Sequence, residues 1–329
     1  AGLFLVSDDE ETALGLPSGA YDLPLVIQDR LFNANNQFVY LPNGMMDRMT
    51  GFLGDRVLIN GQADFTLPVA TRAYRLRLLN GSNSRIYKLA WQDGTPLTVI
   101  GTDGGLLEAP VQRSYVTLAP GQRIELGADF SGYPVGTEIE LLSLPFDSGE
   151  MMGGMMGGSR GVAPFAVLPF AVDPSLPVRF EKLPEALDGD MPDLGATNAP
   201  VRHLSLDMSM GMGMMMAQSG GQFSINGAPF DRSSLNFSVG QNSIERWIVR
   251  ADMMMHPFHV HGVRFQVASE NGQPPKVQNR GWKDTVLVDE QLELLMQFEK
   301  PAPASAPYMY HCHILEHEDG GMMGQFSVV

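Results

Sequence analysis

Residues 311–317 read HCHILEH, and Met322 follows five residues after the last of these histidines. The stretch holds the only cysteine of the 329-residue chain, with a histidine on each side of it. A blue-copper centre uses a thiolate, two imidazoles and a weak, long axial thioether. Residues 256–262, HPFHVHG, supply the second imidazole, and together the two segments hold every histidine except His203. The pattern predicts a mononuclear copper site.

The spacing of the histidines assigns them to two faces of a sheet. Successive side chains of a β-strand point to opposite faces. If residues 309–313 form a strand, Cys312 points to one face and the flanking histidines point to the other. His256 is out of phase with the other histidines of its segment, and we interpret Pro257 as a break that frees it. The copper site is then predicted to contain His256, Cys312, His317 and Met322, and a second metal site behind it to contain His259, His261, His311 and His313.

HPFHVHG and HCHILEHEDGGMM resemble the C-terminal copper motifs of the multicopper oxidases, the family of laccases, cuprous oxidases and ascorbate oxidase. The resemblance extends to residues 22–61, 75–83 and 281–286, and is closest to the bacterial periplasmic cuprous oxidases that detoxify copper. It implies cupredoxin domains, oxidation of a substrate at a type 1 copper, and four-electron reduction of O2 to water at a trinuclear cluster of type 2 and type 3 copper. It also implies a periplasmic or secreted location.

The same resemblance implies roles for individual residues. Electrons pass from the type 1 copper through Cys312 to its covalent neighbours His311 and His313. Glu318 is a candidate proton relay toward the cluster, and an exposed turn carboxylate is the alternative interpretation. A carboxylate attracts a cation and thioethers select its reduced state, so the candidates for the substrate Cu(I) site are Asp252, Met254 and Met208. The alternative for Asp252 is an ordinary turn residue.

Two segments, residues 151–158 and 208–216, consist largely of methionine and glycine. They show no fixed period, and glycine is costly in regular structure, so neither is expected in a hydrophobic core. Thioethers are soft ligands that favour Cu(I). We predict Cu(I) binding for residues 208–216, with an irregular loop without a ligand as the alternative. For the first segment the ligand-free loop is the favoured interpretation, and Cu(I) binding by residues 151–156 is the alternative.

The chain departs from the family in one respect. The trinuclear cluster of a multicopper oxidase uses eight histidines, four from the first domain and four from the last, yet this chain has no histidine before His203. Residues 1–10 resemble the last strand of the first domain and its acidic exit linker. We therefore expect the second and third domains of a three-domain enzyme, without a complete trinuclear centre. The expected partner is the first cupredoxin domain, from the same precursor or from a separate chain.

The rest of the sequence is typical of an all-β fold, here two cupredoxin-like Greek-key β-sandwiches. Short alternating or apolar runs are separated by turn signals such as Asn60-Gly61 and Asp103-Gly104. One short helix is expected at residues 314–318, and His203 is interpreted as a structural strand residue. The expected segments are 1–20 for the tail of the first domain and its linker, 21–170 for a second domain without copper ligands, 171–202 for an interdomain linker, and 203–329 for the third domain.

The charge of the chain limits its partners. The formal net charge is −15, which argues against nucleic acid because phosphates are repelled. The charge suits a cationic substrate such as a metal ion, although solubility alone also explains it. No apolar run long enough for a membrane helix is present, and a single cysteine cannot form an internal disulfide.

Together these observations predict a multicopper oxidase that couples one-electron oxidation of Cu(I) or phenols to the reduction of O2. The alternative is a blue-copper electron-transfer or Cu(I)-binding protein without oxidase activity. The four additional histidines count against it, because an electron carrier has no use for them. A two-domain nitrite reductase is disfavoured by His313, and a zinc site does not explain the Cys–His–Met set.

Overall fold

The chain folds almost entirely into β-strands. The computed structural model describes residues 2–145, 163–179, 182–187, 189, 191–194, 198–209, 223–251 and 253–329. This part of the chain contains 23 strands in four sheets, joined by turns and three short α-helices. It divides into two compact units, each with two sheets and its own hydrophobic core. The predicted all-β class is confirmed.

The first unit lies mostly before Pro192 and has two mixed sheets. One sheet has the order β4-β3-β1-β6-β11-β8-β9, with β2 paired to β1, and the other has the order β10-β7-β12-β13-β5. The strands are β1 (Asp22–Phe32), β2 (Phe38–Val39), β3 (Arg56–Ile59), β4 (Gln62–Ala63), β5 (Leu67–Val69), β6 (Ala73–Asn80), β7 (Tyr87–Trp91), β8 (Leu97–Thr102), β9 (Gly105–Arg113), β10 (Val116–Leu118), β11 (Arg123–Asp129), β12 (Glu138–Ser143) and β13 (Phe165–Val172).

Alternating apolar side chains of these strands fill the space between the two sheets. Leu76 comes from the first sheet, while Leu141 and Phe170 come from the second, and none of the three is exposed to solvent. The hairpin between β3 and β4 turns at Asn60-Gly61, where both residues have positive φ, as a two-residue type I′ turn requires. The turn predicted at this dipeptide is confirmed.

The second unit contains Pro192–Val329 and the separate segment Leu41–Phe52. Its sheets have the orders β15-β14-β17-β21-β19 and β16-β23-β22-β18-β20. The strands are β14 (Val201–Met208), β15 (Phe223–Ile225), β16 (Phe237–Val239), β17 (Ile244–Ala251), β18 (His256–Val260), β19 (Arg264–Glu270), β20 (Thr285–Val288), β21 (Gln291–Gln297), β22 (Tyr308–Cys312) and β23 (Met323–Val328).

Aromatic side chains dominate the core of the second unit. The two sheets of this unit meet at Trp247 from one sheet and at Phe258, Tyr310 and Phe326 from the other. The rings of Trp247 and Phe326 pack edge to face, with centroids 5.7 Å apart. Such contacts add to the burial of apolar area and make the wall behind the histidine-rich strands rigid.

The three α-helices are α1 (Asp9–Ala13), α2 (Met45–Thr50) and α3 (Leu315–Asp319). The short helix expected at residues 314–318 corresponds to α3. Residues 2–8, expected to resemble the last strand of a first domain, pair with no strand in the described part of this chain, and Asp8 caps α1 by accepting the Glu11 N–H. No helix in the described residues is long and apolar enough to cross a membrane.

The division into units differs from the expected boundaries at several places: residues 1–20 and the described part of 171–191, expected as linkers, belong to the first unit, and the described part of 192–202 belongs to the second. Leu41–Phe52 was expected inside the domain spanning residues 21–170, and it packs instead with the second unit. This segment carries α2, which contacts α3. A piece of chain from the half without histidines therefore lies beside the helix that carries His317.

Candidate metal centre

The pairing of β18 with β22 separates the histidines into two groups. His259 lies opposite His311, and Phe258 lies opposite Cys312. Paired residues share a face of the sheet, so Cys312 points into the core with Phe258 while His259 and His311 point to the other side. The alternation predicted for these strands is confirmed. Pro257 is not a break, because β18 pairs continuously through it with β20; the period of two alone places His256 on the side of Cys312.

The core side of this sheet holds an inner cluster of His256, Cys312 and His317. The Cys312 Sγ lies 3.4 Å from the His256 Nδ1 and 3.7 Å from the His317 Nδ1, and the two nitrogens are 3.2 Å apart. All three residues are fully buried. A soft sulfur and two imidazole nitrogens that converge on one point fit a copper ion.

Two contacts orient His317 within α3. Its Nε2 lies 3.0 Å from the Met49 carbonyl oxygen, which therefore accepts the Nε2 proton. The Phe223 ring stacks on the imidazole with centroids 4.4 Å apart. The lone pair of Nδ1 is consequently left facing the Cys312 sulfur.

Burial controls the protonation of the inner cluster. It raises the pKa of the Cys312 thiol, although the Ile314 N–H that lies 3.4 Å from the sulfur favours the thiolate. Burial lowers the pKa of His317 to about 4, against the effect of its hydrogen bond to Met49. The imidazole is therefore neutral and ready to bind a metal, whereas the thiol gives up its proton when a cation supplies compensating charge.

The predicted axial ligand Met322 is fully buried beside this cluster. Its N–H donates to the His317 carbonyl and its carbonyl accepts the Cys312 N–H, at 2.9 and 3.1 Å. The adjacent Met323 is the alternative axial ligand, but it pairs with His311 across β23 and β22, which assigns its side chain to the opposite face. The register therefore favours Met322.

The opposite face carries an outer cluster of His259, His261, His311 and His313. One donor nitrogen of each of the first three lies within 4.8 Å of the others, and the Nε2 atoms of His261 and His311 are 3.1 Å apart. The His313 ring centroid is farther away, 5.6 Å from that of His311. Burial lowers the pKa of His261 and His313 to about 4, with the neighbouring imidazoles adding to the effect.

Hydrogen bonds fix which nitrogens of the outer cluster can bind a metal. The His259 Nδ1 is 2.9 Å from both the Asp284 carbonyl and the Thr285 hydroxyl. The His311 Nδ1 is 2.9 Å from the Cys312 carbonyl. In both residues the Nε2 remains available, which is the arrangement that orients metal-binding imidazoles. His259 and His261 also line an open cavity of about 750 Å³.

The remaining predicted residues are placed less completely. The Glu318 Oε2 lies 3.3 Å from the His311 Nδ1; burial alone would raise the pKa of Glu318, but this contact and the nearby imidazoles hold it below its usual range. Met208 and Met254 are partly buried against the core of the second unit. Asp252, the segment at residues 151–158 and most of the segment at residues 208–216 lie outside the described residues.

Comparison with known proteins identifies the family. A family model described as multicopper oxidase matches residues 202–329. The solved laccase-like multicopper oxidase CueO from Ochrobactrum sp. is 36% identical, with a TM-score of 0.86 over 98% of this chain and 70% of that one. This chain belongs to the multicopper oxidase family. The multicopper oxidase McoA from Aquifex aeolicus is 31% identical, with a TM-score of 0.78 over 97% of this chain and 68% of that one.

Curated relatives carry a different name. The cell division protein FtsP of Xenorhabdus nematophila is 37% identical, and that of Escherichia coli (strain K12) is 36% identical. Each match covers 100% of this chain and 66% of the relative. The chain thus spans 66% of the length of these relatives. The fold of cupredoxin-like sandwiches is confirmed, and the family implies copper as the metal.

Sequence reasoning missed two residues that position the inner cluster. Neither Phe223 nor Met49 was predicted to lie near the copper site, and Met49 falls in the expected domain without copper ligands. Phe223 is one of 17 phenylalanines, and nothing in the sequence distinguishes it from the others. The Met49 contact runs through a backbone carbonyl, which leaves no signal in the sequence.

Proposed function

We propose that this chain is the part of a multicopper oxidase that accepts electrons at a type 1 copper and passes them to half of a trinuclear cluster. The inner cluster with Met322 would hold the type 1 copper, and the outer cluster would supply four ligands of the trinuclear site. The whole enzyme would oxidise Cu(I) or phenols and reduce O2 to water. A periplasmic or secreted location, and a role in copper homeostasis, belong to the same proposal.

One observation carries this proposal: the two clusters lie back to back and share the backbone of β22. Cys312 belongs to the inner cluster and His311 to the outer one, and they are adjacent in sequence. The His311 Nδ1 also bonds to the Cys312 carbonyl at 2.9 Å, which adds a hydrogen-bonded route parallel to the covalent one. A protein that only stores or carries copper has no need for this connection.

The residues divide the chemistry between them. Bound copper would supply one-electron oxidation at the inner cluster and O2 reduction at the outer one. The buried Cys312, His256 and His317 exclude water from the inner site and hold their donors at fixed separations. At the outer site, His311 keeps its Nδ1 bonded and directs its Nε2 outward. Glu318 lies close enough to that imidazole to hold a proton beside the cluster.

The partner in this proposal is a cupredoxin domain that supplies the other four histidines. Three imidazoles of the outer cluster converge beside an open cavity, so a second set of ligands has space to approach. The chain spans only 66% of its curated relatives, which leaves length for such a domain in those proteins. We expect little turnover of O2 by this chain alone.

A second candidate function is favoured by the curated relatives named for cell division. In that case the chain would serve as a binding protein, with or without a copper centre, and would not oxidise substrates. The set of Cys, His and Met donors counts against a role without copper, because a buried thiol and two buried imidazoles at 3.4–3.7 Å are costly to assemble for structure alone.

Electron transfer from each donor tests the proposal. The copper-loaded chain is mixed without O2 with Cu(I) held by a weak chelator or with 2,6-dimethoxyphenol, and the visible absorption of the type 1 centre is followed. We expect at least one donor to bleach the absorption of the type 1 centre. Its recovery in air should be slow when no histidine-bearing first domain is present. If Cu(I) is the natural donor, added copper should stimulate the oxidation of the phenol. A copper-loaded chain that neither donor reduces would contradict the proposal, and sustained O2 consumption by the single chain would contradict its dependence on a partner.

A further inference from the structure

The helix α1 lies far from both histidine clusters in sequence and has little of its own to stabilise it. It has five residues and buries none of them. A helix this short is not stable in isolation, because its few internal hydrogen bonds do not offset the cost of ordering the first turn. Phe4 and Val6, which precede it, are exposed. Contacts with the rest of the first unit must therefore hold α1 in place.

The side chain of Glu11 supplies such a contact. Its Oε1 accepts a hydrogen bond from the Arg75 Nη1 at 2.8 Å and another from the Arg77 Nη2 at 3.0 Å. Both arginines belong to β6 and both are buried. Hydrogen bonds between charged groups are roughly twice as strong as those between neutral groups, and salt screens a partly buried pair less than an exposed one. One carboxylate thus ties the helix to the sheet.

The two arginines also have counter-ions within the sheet. Glu125 of β11 accepts from the Arg75 Nε at 2.7 Å, and Asp22 of β1 accepts from the Arg77 Nε and Nη2, both at 2.8 Å. When all are ionised, three carboxylates face two guanidinium groups, so one negative charge is in excess. Glu11 is the member of the three that lies outside the sheet, and it can therefore leave the cluster while the strands stay paired.

We propose that Glu11, bound to Arg75 and Arg77, is an electrostatic latch that fastens the chain before β1 to the first unit and releases it when the carboxylate loses its charge. Leu16 is buried with Ile100 and Leu187 and holds the chain beyond the helix, so the release is confined to the residues before it. The latch needs no metal. In the proposed enzyme, a histidine-bearing domain from the same precursor would be joined to the first unit at this point, and that consequence alone rests on the proposed function.

The carboxylates of the cluster take up protons in a definite order. Burial alone would raise the pKa of Glu11, but the hydrogen bonds and charges of Arg75 and Arg77 hold it below its usual range. Burial raises the pKa of Glu125 against the effect of the two arginines, and the charge of Glu11 adds to the rise. As the pH falls, Glu125 is therefore protonated first, which removes its repulsion of Glu11 while both guanidinium groups stay charged. The latch is complete above the usual pKa of a glutamate and is lost only as the pH falls through the lowered pKa of Glu11.

Amide hydrogen exchange of the full metal-free chain, followed by NMR, tests the latch at neutral pH. The Thr12 and Leu14 amides donate within the helix at 3.1 and 3.2 Å, and their protection factors report whether α1 is formed. Glu11→Gln keeps the size of the side chain but removes its charge, and should lower both protection factors by about tenfold or more. Glu10→Gln makes the same change on an exposed residue of the same helix and should lower them less than about threefold. The difference between the two variants isolates the contact with the arginines.

The same two amides, followed from neutral to acid pH, test the release. In the wild-type chain their protection factors should hold or rise while Glu125 titrates, and should then fall by about tenfold or more in more acid solution. In Glu11→Gln this fall should be absent. The amides of β6, which is paired on both sides within its sheet, report unfolding of the whole unit and should stay protected through the wild-type transition.

Each contrary outcome removes a different part of the proposal. Equal protection of α1 in Glu11→Gln and Glu10→Gln would overturn the latch. A fall in acid that persists in Glu11→Gln, or that coincides with loss of protection in β6, would overturn the release by Glu11. Protection that already declines while Glu125 titrates would overturn the order of protonation. If Glu11→Gln does not fold, the wild-type pH series compared with β6 decides the release. A chain that binds no copper at the inner cluster would refute the proposed function and leave all of these results unchanged.

Discussion

The inner and outer clusters are built from the same two strands, yet they differ in how far the described chain completes them. The inner cluster is enclosed by the core of one unit, with every ligand fully buried and Met322 beside it. The outer cluster combines the buried His311 with three half-buried imidazoles, two of which, His259 and His261, line an open cavity of about 750 Å³. The inner cluster is thus enclosed by protein on all sides, whereas the outer cluster is open to a cavity on one side.

The alternation of side chains along a strand explains how residues are divided between the two clusters, but it does not complete either cluster. A period of two distributes the residues around Cys312 between two sites without any loop or insertion. It cannot provide the four further ligands that the proposed function requires at the outer cluster. The inner cluster instead receives its remaining ligand from the helix α3, which returns to the core immediately after β22.

The largest expected effect comes from Cys312→Ser. Loss of the soft thiolate should weaken copper binding at the inner cluster by more than the roughly 100-fold that removal of a ligand's hydrogen-bond partner costs. Dialysis against a chelator, followed by elemental analysis, measures the copper retained. The substitution should leave the His261 and His311 imidazoles in place. If the wild-type chain and Cys312→Ser retain equal amounts of copper, the inner cluster is not the copper site.

Removing an outer histidine should affect only the outer cluster. His261→Ala is expected to lower Zn²⁺ affinity about 100-fold in a chain whose inner cluster already holds copper, because three converging imidazoles become two. Calorimetric titration measures the affinity, and His203→Ala serves as the control because His203 is exposed and lies in neither cluster. A change in the visible spectrum of the copper-loaded chain with His261→Ala would contradict the independence of the two clusters.

A smaller effect is expected from Thr285→Val. The hydroxyl of Thr285 is one of two groups at the His259 Nδ1, and its loss should lower metal affinity at the outer cluster about tenfold. The buried hydroxyl also donates to the Asp284 carboxylate at 2.8 Å, so the free energy of unfolding should fall by about 1 kcal/mol. Thr98→Val, which alters a threonine of the first unit, is the matched control. An affinity equal to that of the wild type would show that the Asp284 carbonyl orients His259 without help.

The smallest change in the series is expected from Phe223→Leu. Loss of the stacking on His317 should reduce the free energy of unfolding by about 1 kcal/mol. Phe237→Leu removes a comparable stack on Phe326 and should cost a similar amount. Thermal unfolding measures both, and only Phe223→Leu should also shift the visible spectrum of the copper-loaded chain. Identical spectra for the two variants would show that Phe223 has no influence on the inner cluster.

The sequence predicted the division of the histidines because it depends on local geometry alone. Cys312 and His311 are neighbours on a strand, and neighbours on a strand face opposite ways whatever else the chain does. The Asn60-Gly61 turn was predictable for the same reason, since its two positive φ angles are a property of those two residues.

What could not be predicted depends on contacts between distant parts of the chain. Met49 lies 268 positions before His317, and their hydrogen bond uses a main-chain oxygen that every residue possesses. The helix α1 was not predicted, because its acidic residues were matched to a linker. Its start is set by the hydrogen bond from the Glu11 N–H to Asp8, and the Glu11 carboxylate pairs with Arg75 in the folded unit.

The most direct test of the central claim is a titration of the metal-free chain with Cu²⁺, followed by visible absorption and electron paramagnetic resonance. The account predicts that copper entering the inner cluster produces an intense thiolate-to-copper band and the narrow hyperfine splitting of a blue-copper centre, and that Cys312→Ser abolishes both. Copper binding without that band, or a spectrum that Cys312→Ser leaves unchanged, would contradict the assignment of His256, Cys312 and His317 to a type 1 site.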